Sequence, residues 1–494
     1  MQSPPPRFNL AAHVLSQAPL RADHPALQVL GDETLTYARL EQAVRGTATG
    51  LLTRARPGDR VLMRLGNTPD FPITYLACIA AGLVPVPTSS QLTTTEVTRM
   101  AAELAPALVV QASDVTAPDG GWPTVALPDV RAMRDLPQAD YALGDPDRPA
   151  YIIYTSGTSG KSRAVVHAHR AIWARRMMWD GWYGLTAADR VMHAGAFNWT
   201  YTLGTGLMDP WSRGATALIP APGTDAGDLA ALMATHDATI FAAAPGVYRR
   251  VLRSTLPPLP HLRHGLSAGE KLSETLRATW SAQTGTPIHE AFGMSECSTF
   301  ISGSPARPAP PGTLGYPQPG RRVALRGPDG PVAQGTTGQI AIHRSDAGLM
   351  LGYLDQPAET AARFDGDWFL TGDEGIADKD GAITYAGRAD DMMNAGGYRV
   401  SPVEVEEALI QHPGVTEAAC AEVRLRDDLS LIAAFYTGPD VLDEDELGQH
   451  ARMHLAAYKV PRLYVHRDSL PRGANNKLLR RQLRTDWEAI HGQT

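Results

Sequence analysis

The residues Tyr151 to Arg170, YIIYTSGTSGKSRAVVHAHR, form the strongest local signal for chemistry in the chain. An apolar run leads into Thr155, Ser156, Gly157, Thr158, Ser159 and Gly160, and the loop closes with Lys161 and Arg163. Glycine allows positive φ and close approach, so this loop can turn backbone N–H groups and hydroxyls toward phosphate oxygens, with cations beside them. It is not a Walker A loop, GxxxxGK[ST]: Gly160-Lys161-Ser162 fits the end of that pattern, but Thr155 stands where its first glycine belongs. Taken alone, the loop also fits a Ser/Gly-rich linker, the lesser of the two readings. The other candidates are also bland one at a time. Glu296 reads as solvated surface, Asp373 in TGD as a turn former, Lys477 in LPRGANNKLLRRQL as part of a basic tail, and His167, His169 and His193 as structural histidines. Cys78, Cys297 and Cys420 are too scattered for a disulfide framework or a CxxC zinc site, and no metal cluster emerges among the 15 His.

Holding such groups in register takes a scaffold of several elements. The chain has 494 residues, 43% apolar and 20% charged, which is globular composition with room for two or more domains. Lys plus Arg is 45 and Asp plus Glu 52, a net charge of −7 without a polybasic run, so a nucleic-acid partner is not expected. Between Gly58 and Val110 the runs RVLMRL, PDFPITYLACIAAG, VPVP and ALVV, with the capping-box spacing Thr93-x-x-Glu96, alternate strand and helix. The alternation continues through YIIYT, the region 163 to 183 and TIFAAA at 239 to 244, which predicts an α/β fold with largely parallel sheets. From about Gly338 the texture changes to short strands, QIAIH, DWFLT and the pair GIADKD/GAITYAG turning at Asp380-Gly381, which predicts a β subdomain. After GRADDMMNAGGYRV, Ser401 as N-cap, Pro402 at N1 and Glu404 at N3 open a helix of a further α+β domain.

Taken together, the segments resemble the adenylate-forming superfamily of acyl-CoA synthetases, carrier-protein adenylation domains and luciferases. The resemblance covers nearly the whole chain, from GDRVLMRLGNTPDF through LPRGANNKLLRRQL, with the motifs in order. YTSGTSGKSRAVVH is similar to the family's phosphate loop. SAGEKL, with Gly269, Glu270 and Lys271, is similar to its adenine-side segment, and EAFGMSE, with Glu290, Ala291 and Phe292, to the strand and loop below the nucleotide. FLTGDEG looks like the ribose-binding segment, with Asp373 as diol acceptor and Arg388 its partner; GRADD looks like the hinge, centred on Asp390; GGYRVSPVEVE looks like the loop that meets CoA, with Gly396 and Gly397 allowing pantetheine past and Arg399 reaching phosphate. The resemblance makes Lys477 the mobile catalytic lysine, Ser295 a donor to the α-phosphate and Glu296 the magnesium-side carboxylate. Such chemistry needs cations and donors arranged in advance, because a carboxylate attacking the α-phosphate of ATP opposes like charges. It needs no strong base, which leaves the histidines structural.

The resemblance implies an α/β fold: a large N-terminal domain of parallel-rich α/β sheets plus a β subdomain over residues 1–387, a hinge at 388–391, and a small mobile α+β C-terminal domain over 392–494 that carries the lysine. It implies ATP, Mg2+ and coenzyme A, and two half-reactions: adenylation of a small carboxylic acid, then transfer to CoA. The alternatives are a stand-alone adenylation enzyme that loads a carrier protein, or a non-catalytic nucleotide-binding homologue. Trp199, Ala243, Ala268, Gly293 and Met294 are expected to line the acyl pocket. Acetate-specific members carry tryptophan where this chain has Gly293, so the expected acid is larger than propionate, medium-chain aliphatic or aromatic. Two departures stand out: Ser162-Arg163-Ala164 replaces Pro-Lys-Gly, and Asn476 replaces the glycine before the catalytic lysine. Asparagine tolerates positive φ, whereas arginine and lysine are not interchangeable. The longest apolar run, Tyr75 to Pro87, is broken by Gly82 and Pro85 and falls short of a membrane span, and MQSPPPRFNLAAH lacks the charge and apolar pattern of a signal peptide. A cytoplasmic protein without an integral membrane segment is expected; the sequence leaves the oligomeric state open.

Overall fold

A computed structural model of the chain describes residues 3–30, 33–155, 163–389, 391–395, 398–426, 429–455, 457–473 and 478–491. The chain is α/β and divides into two compact units, Met1–Val323 with His343–Asp367, and Ala324–Ile342 with Trp368–Thr494. The first unit centres on a nine-stranded sheet. Strands Pro25–Leu30, Thr216–Pro220, Arg190–Ala194, Ile240–Ala243, His264–Ala268 and Ile288–Met294 lie side by side in that order, all parallel. Antiparallel strands Thr34–Thr36 and Ser298–Ser302 flank them. The parallel strands are short apolar runs because both faces are covered. Met192, Phe241, Ala243 and Ile288 pack on one side against Tyr248 and Trp280; Val191, Ala242, Leu266, Ala268 and Ala291 pack on the other against Met178 and Trp182. Each large apolar side chain so buried contributes roughly 1.5–3 kcal/mol. In such sheets ligands gather at the carboxyl ends of the strands.

The alternation read between Gly58 and Val110 is present as strand Arg60–Arg64, helix Asp70–Ala80, strand Val84–Pro87, helix Thr94–Leu104 and strand Leu108–Gln111, in a second, four-stranded parallel sheet. The Thr93 capping box forms in both directions: Glu96 N donates to Thr93 Oγ1 at 3.4 Å and Thr93 N to Glu96 Oε2 at 2.9 Å. The region around the phosphate loop departs from the parallel pattern. Pro149–Thr155 pairs antiparallel with Arg163–Ala168, and Gly352–Tyr353 adds antiparallel to the latter. Residues RAVVHA carry β-branched Val165 and Val166 and no N-cap, so the chain leaves the loop as a strand; the next helix begins at Ala171. The loop therefore joins two strands, whereas a Walker A loop opens a helix.

In the second unit Trp368–Ala377 and Ile383–Arg388 form the antiparallel pair expected at Asp380-Gly381, with Gly381 at φ 83°. Ser401 caps helix Pro402–Ile410, accepting from Glu404 N at 3.4 Å, while the Glu404 carboxylate pairs with Lys459 Nζ. Strands Glu417–Arg426, Leu429–Thr437 and Leu463–His466 form a three-stranded sheet. Helix Arg480–His491 packs Leu483 and Trp487 against Ala419, Ala421 and Phe435 of that sheet. Among the described residues no helix is long and apolar enough to cross a membrane.

Candidate active site

The phosphate-loop residues Ser156, Gly157, Thr158, Ser159, Gly160 and Lys161 lie outside the described residues, but their anchors are in place. Thr155 and Arg163 are directly opposite each other at the end of the hairpin. Tyr353, paired to Val165 of the outgoing strand, donates its hydroxyl to Glu296 Oε1 at 2.8 Å. Its phenol is pushed well above its ordinary range, chiefly by burial and next by the Glu296 charge, so it acts as a fixed donor. Arg163 lies over the Tyr353 ring, 5.4 Å from its centroid, and its Nε pairs with Glu359. The outgoing strand is thus tied to the proposed magnesium-side carboxylate through one tyrosine. No local sequence signal pointed to Tyr353 or Glu359. Glu296 is 8% exposed, and among the described residues only its Oε1 takes a side-chain hydrogen bond, from Tyr353. Among the described residues no three His, Cys, Asp or Glu side chains group as a metal site. A single carboxylate whose second oxygen has no side-chain partner among the described residues suits a cation that takes most of its ligands from phosphate and water, as Mg2+ does.

Ser295 precedes Glu296 in the turn between Ile288–Met294 and Ser298–Ser302. Its carbonyl accepts from His167 Nε2 at 2.7 Å. The Glu290 carboxylate, buried on the preceding strand, accepts from Leu272 N at 2.9 Å and from Arg277 Nη2 at 3.1 Å, tying the SAGEKL segment to the sheet. Burial raises its pKa to about 7, partly opposed by those two partners. Gly269 has φ 94°, which a side chain would strain, so the segment turns there. Ala291 is buried beside Ala268, and Phe292 packs edge-on against Phe300 at 5.5 Å.

Two expectations about the acyl pocket change. A Cβ at Gly293 would lie 2.2 Å from Ser298 O and 2.5 Å from Thr299 Cα, at a bulge where the two strands close together. The glycine is required by that backbone approach, so its bare position is no measure of pocket depth. Ala243 and Ala268, expected to share the pocket, lie on opposite faces of the sheet: Ala243 packs with Phe241 and Tyr248, Ala268 with Ala242 and Leu266. The parallel register imposes this, and it leaves Ala268 and Ala291 together. Trp199 precedes a π-helical segment, Thr202–Met208, a geometry that often marks functional sites, and Met294 ends its strand facing Ser298.

In the second unit Asp373 and Arg388 are directly opposite across the antiparallel pair, Arg388 Nη1 standing 3.6 Å from Asp373 Oδ2. Tyr385, absent from the sequence reading, donates to Asp373 Oδ1 at 3.0 Å. Asp390, Gly396, Gly397 and Lys477 lie outside the described residues; Arg399 is in strand Tyr398–Val400, opposite Asn394. Arg472 and Leu478 bridge on either side of the segment with Lys477. His167, His169 and His193 are all buried, and burial lowers their pKa values to about 4, 3 and 3. They are neutral, and His169 Nδ1 accepts from Leu10 N at 3.0 Å, a structural bond.

Comparison with known proteins agrees with the motifs. The family model of AMP-binding enzymes matches residues 15–354, and that of the AMP-binding enzyme C-terminal domain matches 404–477. The chain is 31% identical to benzoate–CoA ligase of Thauera aromatica, over 97% of this chain and 96% of that protein. It is 30% identical to the acyl-coenzyme A synthetase ACSM2A, mitochondrial, of Homo sapiens, over 99% and 92%. Among solved structures, a benzoate CoA ligase from Burkholderia xenovorans LB400 superposes with a TM-score of 0.84 at 30% identity, over 97% of this chain and all (100%) of that one.

Proposed function

The chain belongs to the AMP-binding enzyme family, and from that premise we infer how its residues divide the work. It is an AMP-forming carboxylate–CoA ligase, an acid–thiol ligase that uses ATP. In the first half-reaction a carboxylate oxygen forms a bond to the α-phosphorus of ATP and the bond to pyrophosphate breaks. In the second the CoA thiolate attacks the acyl carbon and AMP leaves. The acid we propose is aromatic or medium-chain, larger than propionate; the similarity to benzoate–CoA ligases supports this, and Gly293 no longer contributes.

The observation that carries the assignment of the adenylating site is the bond from Tyr353 to Glu296, which ties the carboxylate to the strand leaving the phosphate loop. We assign Thr155 to Lys161 and Arg163 to the ATP phosphates, Ser295 to the α-phosphate, and Glu296 to Mg2+. The ion, when bound, neutralises phosphate charge. Gly269, Glu270, Lys271 and Glu290 to Phe292 frame the adenine side, and Asp373 with Arg388 holds the ribose. Lys477 supplies the cation that offsets the meeting of carboxylate and α-phosphate, and Arg399, Gly396 and Gly397 serve phosphate and pantetheine. The hinge at 388–391, between domains 1–387 and 392–494, and a cytoplasmic location belong to the same proposal. The test is acid-dependent exchange of pyrophosphate into ATP, for straight-chain acids of two to ten carbons and benzoate, with and without CoA. Exchange without CoA, fastest for acids above three carbons, is expected; fastest exchange with acetate would overturn the substrate class.

A further inference from the structure

Beside the Ser295 turn lies a small, partly open cavity of about 20 Å³, lined by Tyr75, Tyr151, Leu203 and Met208 and by the polar groups of His167, Arg175, Thr200, Ser295 and Ser298. Two of its residues, Thr200 and Ser295, are chain neighbours of Trp199 and Met294, which were expected to line the acyl pocket. The volume suffices for one water, hence for one heavy atom. The lining is more apolar than polar, so what matters is the few polar atoms in it, because a buried polar group without a partner costs free energy.

The chemistry of that lining is specified by its hydrogen bonds. His167 is 2% exposed and stacks on Tyr151 with centroids 4.7 Å apart. Its Nε2 faces the Ser295 carbonyl at 2.7 Å, and a carbonyl only accepts, so Nε2 carries the proton and Nδ1 is left a lone pair. Nδ1 is buried and has no partner among the described residues. Ser298 Oγ accepts from Arg175 Nη1 at 2.7 Å, so its own proton is left to give. Ser298 is held at φ 62°, a conformation costly for a residue with a side chain and concentrated at functional sites. Arg175 is held by an ion pair: its Nε and Nη2 donate to both Asp209 oxygens, and Nη2 also donates to the Tyr183 hydroxyl. Its charge is cancelled inside the protein, so the cavity does not attract a second carboxylate.

We propose that this cavity is the end of the acyl site that reads a single hydroxyl on the acid, so that the preferred substrate is a hydroxy-substituted aromatic acid. The hydroxyl gives its proton to His167 Nδ1 and receives one from Ser298 Oγ; a methyl group of equal size does neither. His167 is thereby a specificity-determining residue, not a base. The inference rests on the ligase reading above.

The experiment is kcat/KM in acid-dependent pyrophosphate exchange for benzoate and for the 2-, 3- and 4-hydroxybenzoates, each against its methyl counterpart. It is run on the wild type, on His167→Phe, which keeps a ring to stack on Tyr151, and on Ser298→Ala, with thermal melts of all three. A pair of hydrogen bonds predicts at least one hydroxybenzoate about tenfold or more above its methyl counterpart in the wild type. That ratio should collapse toward one in either folded variant. The ratio cancels any general loss from releasing the Ser295 carbonyl. Hydroxy and methyl acids of equal efficiency in the wild type, or a ratio that survives both substitutions, overturns the inference while leaving the ligase assignment intact. A wild type that exchanges with no carboxylic acid overturns both.

Discussion

Gly293→Ala adds one methyl group, and the structure states what that group meets: Ser298 O at 2.2 Å, Thr299 Cα at 2.5 Å and Ser298 C at 2.7 Å. All three are backbone atoms of the partner strand, so no side chain can rotate away. Carbon atoms in contact rest about 3.5–4.0 Å apart, so the two strands must separate by roughly 1 Å at their bulge. Overpacking of this kind costs about 1–3 kcal/mol, roughly 5- to 150-fold in the ratio of folded to unfolded protein. The displaced turn carries Ser295 and Glu296, which the proposed adenylating site uses for every acid. Urea denaturation followed by tryptophan fluorescence should show an earlier transition, and kcat/KM should fall by a common factor for acetate, hexanoate and benzoate. Unchanged stability with losses confined to the larger acids would refute the reasoning and return Gly293 to the pocket wall.

Tyr353→Phe removes a donor to a charged acceptor, which is worth about 1.5–3 kcal/mol, so adenylation should fall roughly 10- to 100-fold with a rightward shift in its Mg2+ dependence. Thioester formation from supplied acyl-adenylate should be nearly untouched; equal losses in both steps would count against the assignment of Glu296. Glu290 has its pKa raised to about 7, above its value of 4.5 in an unfolded chain, so it takes up a proton on folding. Its stabilising contribution is complete below about pH 4.5 and lost as pH rises through about 7, and the stability difference between wild type and Glu290→Gln should follow that course in urea melts from pH 4 to 8. Lys477→Ala should slow pyrophosphate exchange by roughly a hundredfold or more, the scale of losing a preorganised charge, while sparing the second half-reaction. Unchanged exchange would remove Lys477 from the site.

Features specified by neighbours in the chain were legible in the sequence. The Thr93 capping box, the Ser401 N-cap and the Asp380-Gly381 turn each depend on residues a few positions apart. That turn also brings Asp373 opposite Arg388. What was not legible depends on partners distant in sequence. Tyr353 reaches Glu296 across 57 positions, Gly293 is explained only by a bulge against Ser298–Ser302, and the faces of Ala243 and Ala268 are set by the register of parallel strands. The strand after the phosphate loop was read within an alternation of strand and helix, because apolar RAVVHA is too short for its period to settle the matter.

The central claim is that this chain activates a carboxylate at the α-phosphate of ATP. Benzoate carrying 18O in its carboxylate, turned over with ATP and CoA, tests it directly by mass spectrometry of the products. The oxygen that attacks phosphorus remains with AMP when the thiol displaces it, so AMP should gain a single 18O and pyrophosphate none. Label in inorganic phosphate with ADP as co-product, or acyl-CoA formed without label entering AMP, would contradict the account.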